Sequence, residues 1–356
     1  MKVLQVCAYA APYEGNFMQS LFALEKRLLS ESVETVYAFP QNAKNHKWVQ
    51  QLEKRADVYY LPLYRSQINP KVYKKLRTIF RENPEINIVH SHFEQYDIPV
   101  AITTPRNIKV YWHLHDPVVV ENNLRGLLMR FQYGIIGNRA RLISVCEKYR
   151  QDMVRIGFPE KQSITVINGI CLDRVVSTKQ KKEVDFVTFG WDYFRKGDDV
   201  ILSACERLQN EGYKFRLVLN GLEPTWAKLE ERYNGNDPDF LIRGEPVENI
   251  DQLFEKCKCY IQASRRETFS YAVCEAAYAG LDVISSDIPG TVWAHELPTV
   301  AFFENEDVDG LYQLMKQCLE GQCASMTDID KSRRIIEESY SVDAWVEKIV
   351  NCYRSM

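Results

Sequence analysis

The chain has 356 residues, of which 46% are hydrophobic and 26% are charged. This length predicts two domains, and the composition excludes a disordered chain or a small disulfide-stabilised module. The net charge of −3 is the sum of two halves of opposite charge. Residues 1–170 carry 8 more positive than negative charges, and residues 171–356 carry 11 more negative than positive charges. A basic half suits a phosphorylated ligand or an anionic membrane. Since no nucleic-acid-binding motif accompanies it, we expect no nucleic acid partner.

Short runs rich in β-branched and aromatic residues alternate with helical periodicity along the whole chain, which predicts an α/β fold with parallel sheets. The strands predicted in the first half are Lys2–Ala8, Glu34–Phe39, Asn87–His92, Lys109–His113 and Arg141–Val145. Those predicted in the second half are Val184–Gly190, Phe215–Asn220, Asp239–Arg243, Cys259–Ala263 and Asp282–Ser286.

Two sets of five strands predict two Rossmann-like, doubly wound domains facing an inter-domain cleft. We place the domains at 1–170 and 171–340, with a hinge in the polar stretch 177–182. In such folds ligands bind outside the carboxyl ends of the strands. The loops that follow the strands are therefore the places to look for chemistry.

The ten cysteines contain no C-x-x-C pair, and most lie in apolar runs. This pattern is typical of reduced core cysteines in a cytoplasmic protein. No stretch has the length and apolarity of a signal peptide or a membrane span. We therefore expect a cytoplasmic location in which any membrane contact is peripheral.

The loop after the first strand contains Gly15, followed by a helix with an apolar face. Asn16 and Gln19 have the spacing of a capping box. Gly15 would then lie where free backbone N–H groups can bind an anion. A glycine required only by the turn explains the same residue equally well.

Two adjacent cations, Arg195 and Lys196, follow the first strand of the second half. The next helix is predicted to be capped by Asp198 or Asp199. The two cations can neutralise a diphosphate, each charged hydrogen bond contributing roughly 1.5–3 kcal/mol. Taken alone, they are better explained as a solvated surface pair.

The most specific segment runs from Ser264 to Gly280. Glu267 lies in the loop before a helix and Glu275 in the second turn of that helix. Carboxylates accept hydrogen bonds from vicinal hydroxyls, and helix-end amides suit phosphate. A sugar joined to a nucleotide diphosphate is the ligand that this arrangement fits.

At this point the sequence resembles the family-four retaining glycosyltransferases of GT-B fold, whose signature is two glutamates separated by seven residues, as in Glu267 and Glu275. The resemblance extends over nearly the whole chain. It includes the segments 88–93, His115 with Asp116, 143–147, 166–170 and 284–287. One departure is Trp191, since the family usually has arginine directly after the glycine at position 190, and Arg195 is the candidate replacement for that charge.

The resemblance implies roles for twelve residues. Those implied to be catalytic are His115, Glu267, Lys196 and Arg195. Those implied to bind the donor nucleotide sugar are Gly15, Asn16, Gly190, Gly244, Thr268, Phe269, Ser270 and Glu275. Glu275 would bind the ribose hydroxyls, the loop from Gly244 to Val247 would lie near the base, and His115 would lie beside the transferred sugar.

The implied function is transfer of a sugar, with retention at the anomeric carbon, from a nucleotide diphosphate to a hydroxyl of a glycan or lipid-linked glycan in cell-surface polysaccharide synthesis. A UDP-sugar is the favoured donor, and neither a metal nor another cofactor is expected. Three alternatives stay open: a non-catalytic GT-B subunit that supports a partner glycosyltransferase, a sugar-nucleotide epimerase, and a retaining glycosidase using the two glutamates.

Several other patterns have simpler interpretations. The i,i+2 pairs His90 with His92 and His113 with His115 lack a further ligand type nearby, so we expect ordinary histidines and no metal site. The basic stretches 71–81 and 123–131 are core-packed helices with a solvated face or, alternatively, docking sites for anionic lipid. By resemblance, the helix predicted in 341–356 crosses back to the first domain.

Overall fold

The computed structural model describes residues 1–63, 65–116, 124–175, 182–245 and 250–355, without the side chains of Leu124, Arg125 and Leu128. The chain divides into two compact units, one formed by residues 1–168 with 342–356 and the other by residues 169–341. Each unit is a parallel sheet with helices. Within the described residues, no helix combines the length and apolarity that crossing a membrane requires.

Unit 1 contains a sheet of seven strands in the order β3-β2-β1-β4-β5-β6-β7, all parallel. Its strands are β1 (Lys2–Cys7), β2 (Glu34–Pro40), β3 (Asp57–Leu61), β4 (Ile86–His92), β5 (Lys109–Leu114), β6 (Arg141–Ser144) and β7 (Ser163–Thr165). Its first helices are α1 (Gly15–Leu29), α2 (Lys47–Leu52), α3 (Pro70–Glu82), α4 (Asp97–Thr103), α5 (Leu124–Phe131) and α6 (Glu147–Arg155).

Unit 2 contains a sheet of six strands in the order β10-β9-β8-β11-β12-β13, also all parallel. The strands are β8 (Val184–Gly190), β9 (Leu217–Gly221), β10 (Leu241–Gly244), β11 (Cys257–Gln262), β12 (Asp282–Asp287) and β13 (Val300–Glu304). The helices are α7 (Asp198–Asn210), α8 (Glu223–Tyr233), α9 (Ile250–Phe254), α10 (Tyr271–Ala279), α11 (Val308–Leu319) and α12 (Met326–Ser339).

The last helix, α13 (Val342–Arg354), returns to unit 1 and packs against α1. Trp345, Val346, Ile349 and Val350 lie in the apolar cluster that covers one face of the unit 1 sheet. A second apolar cluster, which includes Val72 and Leu76 of α3, covers the other face. The basic helix predicted at 71–81 is therefore anchored by an apolar side that lies in the core.

The prediction of five strands in each half is wrong in number. The three additional strands, β3, β7 and β13, all lie at sheet edges. An edge strand pairs on one side only, and its side chains are buried less completely, so its apolar signal is weaker. Ile164 of β7, for example, is an exposed isoleucine. The predicted hinge, apart from Lys182, lies outside the described residues.

Both sheets have a point where the strand order reverses, between β1 and β4 in unit 1 and between β8 and β11 in unit 2. Ligands of doubly wound folds bind at such points, outside the carboxyl ends of the strands. In unit 1 the loops after β1 and β4 and the residues directly after β5 lie there. In unit 2 the loops after β8 and β11 do so, and these two loops contain six of the twelve predicted site residues.

Candidate active site

In unit 2 the loop from Trp191 to Gly197 follows β8 and contains both predicted cations. Lys196 is only 8% exposed, and its Nζ donates to Oε1 of Glu267 at 2.7 Å. Nη1 of Arg195 lies 3.6 Å from the same oxygen. Burying an ammonium group is costly unless a counter-charge accompanies it. The ion pair with Glu267 therefore replaces the interpretation of Lys196 as part of a solvated surface pair.

Gly197 ends this loop in a left-handed conformation, with φ of 71°. A Cβ atom at this position would lie 2.0 Å from the carbonyl oxygen of Ala263, at the end of β11. Only glycine allows this close approach. Gly197 is also the N-cap residue of α7, so the prediction that Asp198 or Asp199 caps this helix is wrong.

Asp198 and Asp199 lie in two different environments. Asp199 forms an ion pair with Arg265 at 2.8 Å. Asp198 is fully buried, and burial raises the pKa of its carboxyl well above the usual value. A Cβ atom on Gly190 would lie 2.5 Å from Oδ2 of Asp198. Gly190 is thus required by packing against Asp198, whatever its predicted role toward a ligand.

The loop after β11 leads into α10 and is fixed by side-chain hydrogen bonds. The hydroxyl of Ser264 donates to Oε1 of Glu267 at 3.0 Å. Ser270 is the N-cap of α10, where its Oγ accepts from the N–H of Val273 at 3.4 Å. The same hydroxyl donates to Oε1 of Gln262 at 2.5 Å. The start of α10, a place suited to an anion, is therefore held against the end of β11.

Glu275 is buried in the second turn of α10. Burial raises the pKa of the Tyr260 phenol, and the charges of Glu267 and Glu275 raise it further. The hydroxyl of Tyr260 donates to Oε1 of Gln262 at 3.1 Å. The two signature glutamates lie on either side of the start of α10, Glu267 in the loop before it and Glu275 in its second turn.

The remaining predicted residues of unit 2 lie at strand ends or beside this loop. Gly244 is the last residue of β10, where a Cβ atom would lie 2.9 Å from Cγ1 of Val218. Phe269 is buried and stacks on Trp293, with ring centroids 4.8 Å apart. Thr268 is half-buried. Pro246 and Val247, predicted to lie near a base, are outside the described residues.

Trp191, at the position where the resembled family has arginine, is a half-exposed indole. Nζ of Lys196 lies 4.7 Å from the centroid of its ring, within the range of a cation–π interaction. The guanidinium carbon of Arg195 lies 6.0 Å from the same ring. The tryptophan thus contacts the two cations of the loop instead of adding a third.

In unit 1, Gly15 is the first residue of α1 and has φ of 58°. A Cβ atom on it would lie 3.1 Å from the hydroxyl of Tyr9. The N-cap residue is Glu14, whose carboxylate accepts a hydrogen bond from Gln19. The predicted capping box of Asn16 with Gln19 is wrong, because the helix begins two residues earlier than it requires and Asn16 lies in its first turn.

His115 follows β5 and begins a chain of hydrogen bonds into the core of unit 1. Its Nε2 lies 3.1 Å from Nδ1 of His92, and Nε2 of His92 lies 2.8 Å from Oε1 of Gln5. The amide nitrogen of Gln5 donates to the hydroxyl of Tyr353 at 3.2 Å. An amide oxygen can only accept, so His92 carries its proton on Nε2 and accepts from Nε2–H of His115. The unprotonated nitrogen of His115 is then Nδ1.

The chain continues to two further histidines. The hydroxyl of Tyr353 lies 2.6 Å from Nδ1 of His90, and Nε2 of His90 lies 3.2 Å from Nδ1 of His113. Nε2 of His113 is buried and has no hydrogen-bond partner among the described residues. Ring nitrogens of His90, His92 and His113 lie within 4.8 Å of one another, so the expectation that no third ligand type lies near either pair is wrong.

Burial lowers the pKa values of His90 and His115 to about 3. Burial also lowers the pKa values of His92 and His113, and the neighbouring histidines lower them further. All four rings are therefore neutral at pH 7. Neutral imidazoles that donate with one nitrogen and accept with the other account for the chain of hydrogen bonds.

An aromatic cluster surrounds His115. The ring of Phe93 lies 4.7 Å from the imidazole and that of Phe17 lies 5.2 Å from it, both measured between centroids. Phe93 has φ of 63°, a conformation that is costly for a bulky residue and that clusters at functional sites. This strain could not be inferred from the sequence.

Comparison with known proteins assigns the chain to a family. Residues 172–342 match the model for glycosyl transferases group 1, and residues 22–174 match the model for glycosyltransferase family 4. Together the two matches extend from residue 22 to residue 342. The chain is a family-four-like glycosyltransferase. Its two parallel sheets, with helices on their faces, are the GT-B fold of that family.

A curated relative of this glycosyltransferase is the phosphatidylinositol N-acetylglucosaminyltransferase gpi3 subunit of Schizosaccharomyces pombe. It is 24% identical over 304 residues, which are 78% of this chain and 64% of the relative. The chain thus spans somewhat less than two thirds of that protein.

Solved structures share the fold over the full length of the chain. A glycosyltransferase from Rickettsia africae has a TM-score of 0.80 at 16% identity and covers 99% of this chain and 97% of its own. Anabaena HepE in complex with UDP has a TM-score of 0.81 at 14% identity and covers 100% of both chains.

The predicted site residues fall into two groups, one in each unit. In unit 2 the fold brings Arg195, Lys196, Glu267, Ser270 and Glu275 to the carboxyl ends of β8 and β11. In unit 1 it places Gly15, Asn16 and His115 at the carboxyl ends of β1 and β5.

The sequence analysis missed four supporting residues: Gln262 and Tyr260 beneath α10, and Gln5 and Tyr353 behind His115. The sequence did indicate that Gln262 needs a polar partner, because it is an amide within an otherwise apolar stretch of β11. Gln5 interrupts β1 in the same way. Nothing in the sequence indicated a role for Tyr353, because its hydrogen-bond partners lie 263 and 348 residues away along the chain.

Proposed function

We propose that the protein transfers a sugar from a nucleotide diphosphate sugar to a hydroxyl of a glycan or lipid-linked glycan, with retention at the anomeric carbon. The observation that carries this proposal is the ion pair of the buried Lys196 with the partly buried Glu267, 2.7 Å apart, beside the Ser270-capped start of α10. A cation and a helix start beside one buried carboxylate suit a ligand that joins phosphates to a hydroxyl-bearing sugar.

The proposed chemistry follows from charge. When the bond between the anomeric carbon and the phosphate oxygen breaks, negative charge increases on the diphosphate. Lys196, Arg195 and the amides of residues 268–270 would oppose this charge as fixed electrostatic groups, without a metal or other cofactor. The departing phosphate oxygen would take the proton of the acceptor hydroxyl, which would attack from the same face.

Glu275 and His115 have positioning roles in this proposal. The buried carboxylate of Glu275 would accept hydrogen bonds from the ribose hydroxyls. Nδ1 of His115, left unprotonated by the hydrogen bond to His92, would accept a hydrogen bond from a hydroxyl of the transferred sugar. Glu267 accepts hydrogen bonds from Lys196 and Ser264, and it lies beside a helix start suited to phosphate, which a glycosidase would not need.

A UDP-sugar is the donor that we favour, since Anabaena HepE, which shares the fold, has been solved with UDP and with UDP-glucose. A glycan or lipid-linked acceptor agrees with the name of the Schizosaccharomyces pombe relative. The proposed setting is the synthesis of cell-surface polysaccharide.

The test is thermal unfolding with UDP, GDP, ADP and TDP at millimolar concentration, with and without EDTA. A ligand at 100 times its dissociation constant adds about 2.7 kcal/mol. We expect one nucleotide to stabilise the wild type and not Glu275→Ala, with the same shift in EDTA. Lys228→Met, which removes an exposed lysine paired with Glu231, is the control. Activity is then assayed with the matching nucleotide sugar and a panel of acceptors.

A non-catalytic GT-B subunit is the second candidate, and Trp191 is the observation that favours it. The indole occupies the position of the family's arginine and covers the ammonium of Lys196. Failure of every nucleotide to stabilise the protein would support this candidate over the first. Conversion of a nucleotide sugar without any acceptor would instead identify an epimerase.

We also propose peripheral contact with an anionic membrane at the cytoplasmic face, through 123–131 or the basic face of α3. Leu127, Phe131 and Ile135 are spaced by four residues and are all more than half exposed. Arg130 is exposed beside them. Asn123 lies outside the described residues.

Sedimentation with vesicles that contain anionic lipid tests this contact. We expect Phe131→Glu to reduce sedimentation, and Ile164→Glu, at an exposed isoleucine elsewhere in unit 1, to leave it unchanged. Equal sedimentation of both variants and the wild type would refute the proposed contact surface.

A further inference from the structure

Three cysteines and one aspartate of unit 2 meet far from the candidate active site. Cys259 is the third residue of β11, and it pairs in register with Asp282, the first residue of β12. Cys318 lies in the last turn of α11, and Cys323 follows that helix. The active-site loops follow the carboxyl ends of the strands, whereas this cluster lies toward the amino ends of β11 and β12.

The turn after α11 brings the two later cysteines together. Gly321 has φ of 84° and donates its N–H to the carbonyl of Cys318 at 3.1 Å. Gln322 donates to the carbonyl of Gln317 at 2.9 Å. These two bonds form a Schellman motif, which reverses the chain after the helix. Cys323 therefore returns over the end of α11, with Sγ 3.9 Å from the carbonyl oxygen of Cys318.

Three side chains of the cluster converge on one point. One ligand atom from each of Asp282, Cys318 and Cys323 lies within 4.8 Å of the other two. Cys259, the register partner of Asp282, is buried. Two sulfur atoms and one carboxylate thus surround a common position, with a third thiol on the strand residue that pairs with Asp282.

A backbone hydrogen bond also orients the carboxylate of Asp282. Oδ1 of Asp282 accepts the N–H of Ala324 at 2.8 Å. A hydrogen bond to one oxygen, which leaves the other for a cation, is the outer-shell arrangement typical of protein metal sites.

We propose that Cys318, Cys323 and Asp282 bind one zinc ion, and that the thiolate of Cys259, on the strand residue paired with Asp282, completes a closed, four-coordinate structural site. Zinc accepts thiolate and carboxylate ligands in tetrahedral geometry, and a site filled by four protein ligands has no position for a substrate. The ion would tie the turn between α11 and α12 to the amino ends of β11 and β12. This departs from the expectation of no metal site, and it adds nothing to the sugar-transfer chemistry.

The experiment compares the wild type with the double variant Cys318→Ser/Cys323→Ser and with Cys171→Ser, which removes a half-buried thiol outside the cluster. Each full-length protein is purified with a reductant, dialysed without chelator and analysed for metal by mass spectrometry. We expect one equivalent of zinc in the wild type and in Cys171→Ser. The double variant is expected to bind zinc more weakly by at least roughly the 10–100-fold that loss of an outer-shell partner alone produces.

Cobalt provides a second readout that does not depend on stability. The wild type, after zinc removal, should show thiolate-to-cobalt charge-transfer bands and the intense ligand-field bands of a tetrahedral ion. Cys323→Ser should weaken the charge-transfer bands, and because Cys323 is exposed this variant should remain folded. Asp282→Asn should alter the ligand-field bands while the charge-transfer bands remain.

Three results would overturn the proposal: wild-type protein without stoichiometric zinc or cobalt bands, equal zinc in the double variant, or a Cys318–Cys323 disulfide in freshly isolated protein. Nucleotide-induced stabilisation is measured on the same samples. It should persist in the double variant, so failure of the zinc site and failure of the proposed sugar transfer are distinguishable.

Discussion

The buried histidines of unit 1 make its stability depend on pH. His90, His92 and His113 are at most 1% exposed, and burial lowers their pKa values. The pKa of His90 falls to about 3, against about 6.5 in an unfolded chain. In acid, therefore, these histidines bind protons in the unfolded state and stay neutral in the folded state. The contribution of the neutral histidines to the free energy of unfolding is complete above pH 6.5 and is lost as the pH falls from there toward 3.

The magnitude follows from the proton difference. When the pH falls from 7 to 5, each histidine that stays neutral in the folded state lowers the free energy of unfolding by about 2 kcal/mol. The loss is about 6 kcal/mol if all three stay neutral, which is comparable with the whole stability of a domain. Unit 1 should therefore open near pH 5 before unit 2 does, since the described part of unit 2 has only His295, which is exposed.

Hydrogen exchange followed by mass spectrometry measures this unit by unit. Peptides from β4 and β5 should lose protection steeply as the pH falls from 7 to 5, after correction for intrinsic exchange, while peptides from β8 should not. His113→Phe retains a ring stacked on His90 but removes one titrating group, so its pH dependence should be shallower. His295→Gln is the control and should match the wild type. Equal pH dependence in both units, or in His113→Phe and the wild type, would refute the reasoning.

Four further outcomes are expected. Lys196→Met should lower kcat/KM roughly 10–100-fold, the equivalent of one charged hydrogen bond of about 1.5–3 kcal/mol, whereas Lys228→Met should not; equal kinetics would contradict the assignment. Gly197→Ala should destabilise unit 2 by about 1–3 kcal/mol, because its Cβ would meet the carbonyl of Ala263 in a left-handed backbone; urea unfolding measures this, and an unchanged midpoint would refute it. Removal of residues 342–356 should prevent unit 1 from folding, since Trp345 and Ile349 leave its core, as exchange protection of β1 would show. EDTA should leave turnover unchanged in an initial-rate assay, and loss of activity would contradict the metal-free mechanism.

The sequence by itself determined the alternation of strands and helices, because apolar periodicity reports which side of each element is buried. Ten strands lie close to their predicted positions, and the segment from Ser264 to Gly280 contains the loop and helix expected of it. The two signature glutamates could be named from local pattern, whereas Arg195 and Lys196 obtained their predicted roles only from the family resemblance. The family could be named for the same reason, since its motifs are short and continuous in the chain.

Tertiary structure alone decided what surrounds these residues. The ion pair of Lys196 with Glu267 joins residues 71 positions apart, and the bond from Tyr353 to His90 joins residues 263 apart. The edge strands, the left-handed Gly197 and the meeting of Asp282 with Cys318 likewise depend on contacts between distant segments. Periodicity records burial but not the partner, so a polar side chain in an apolar strand shows that a partner exists without showing which residue it is.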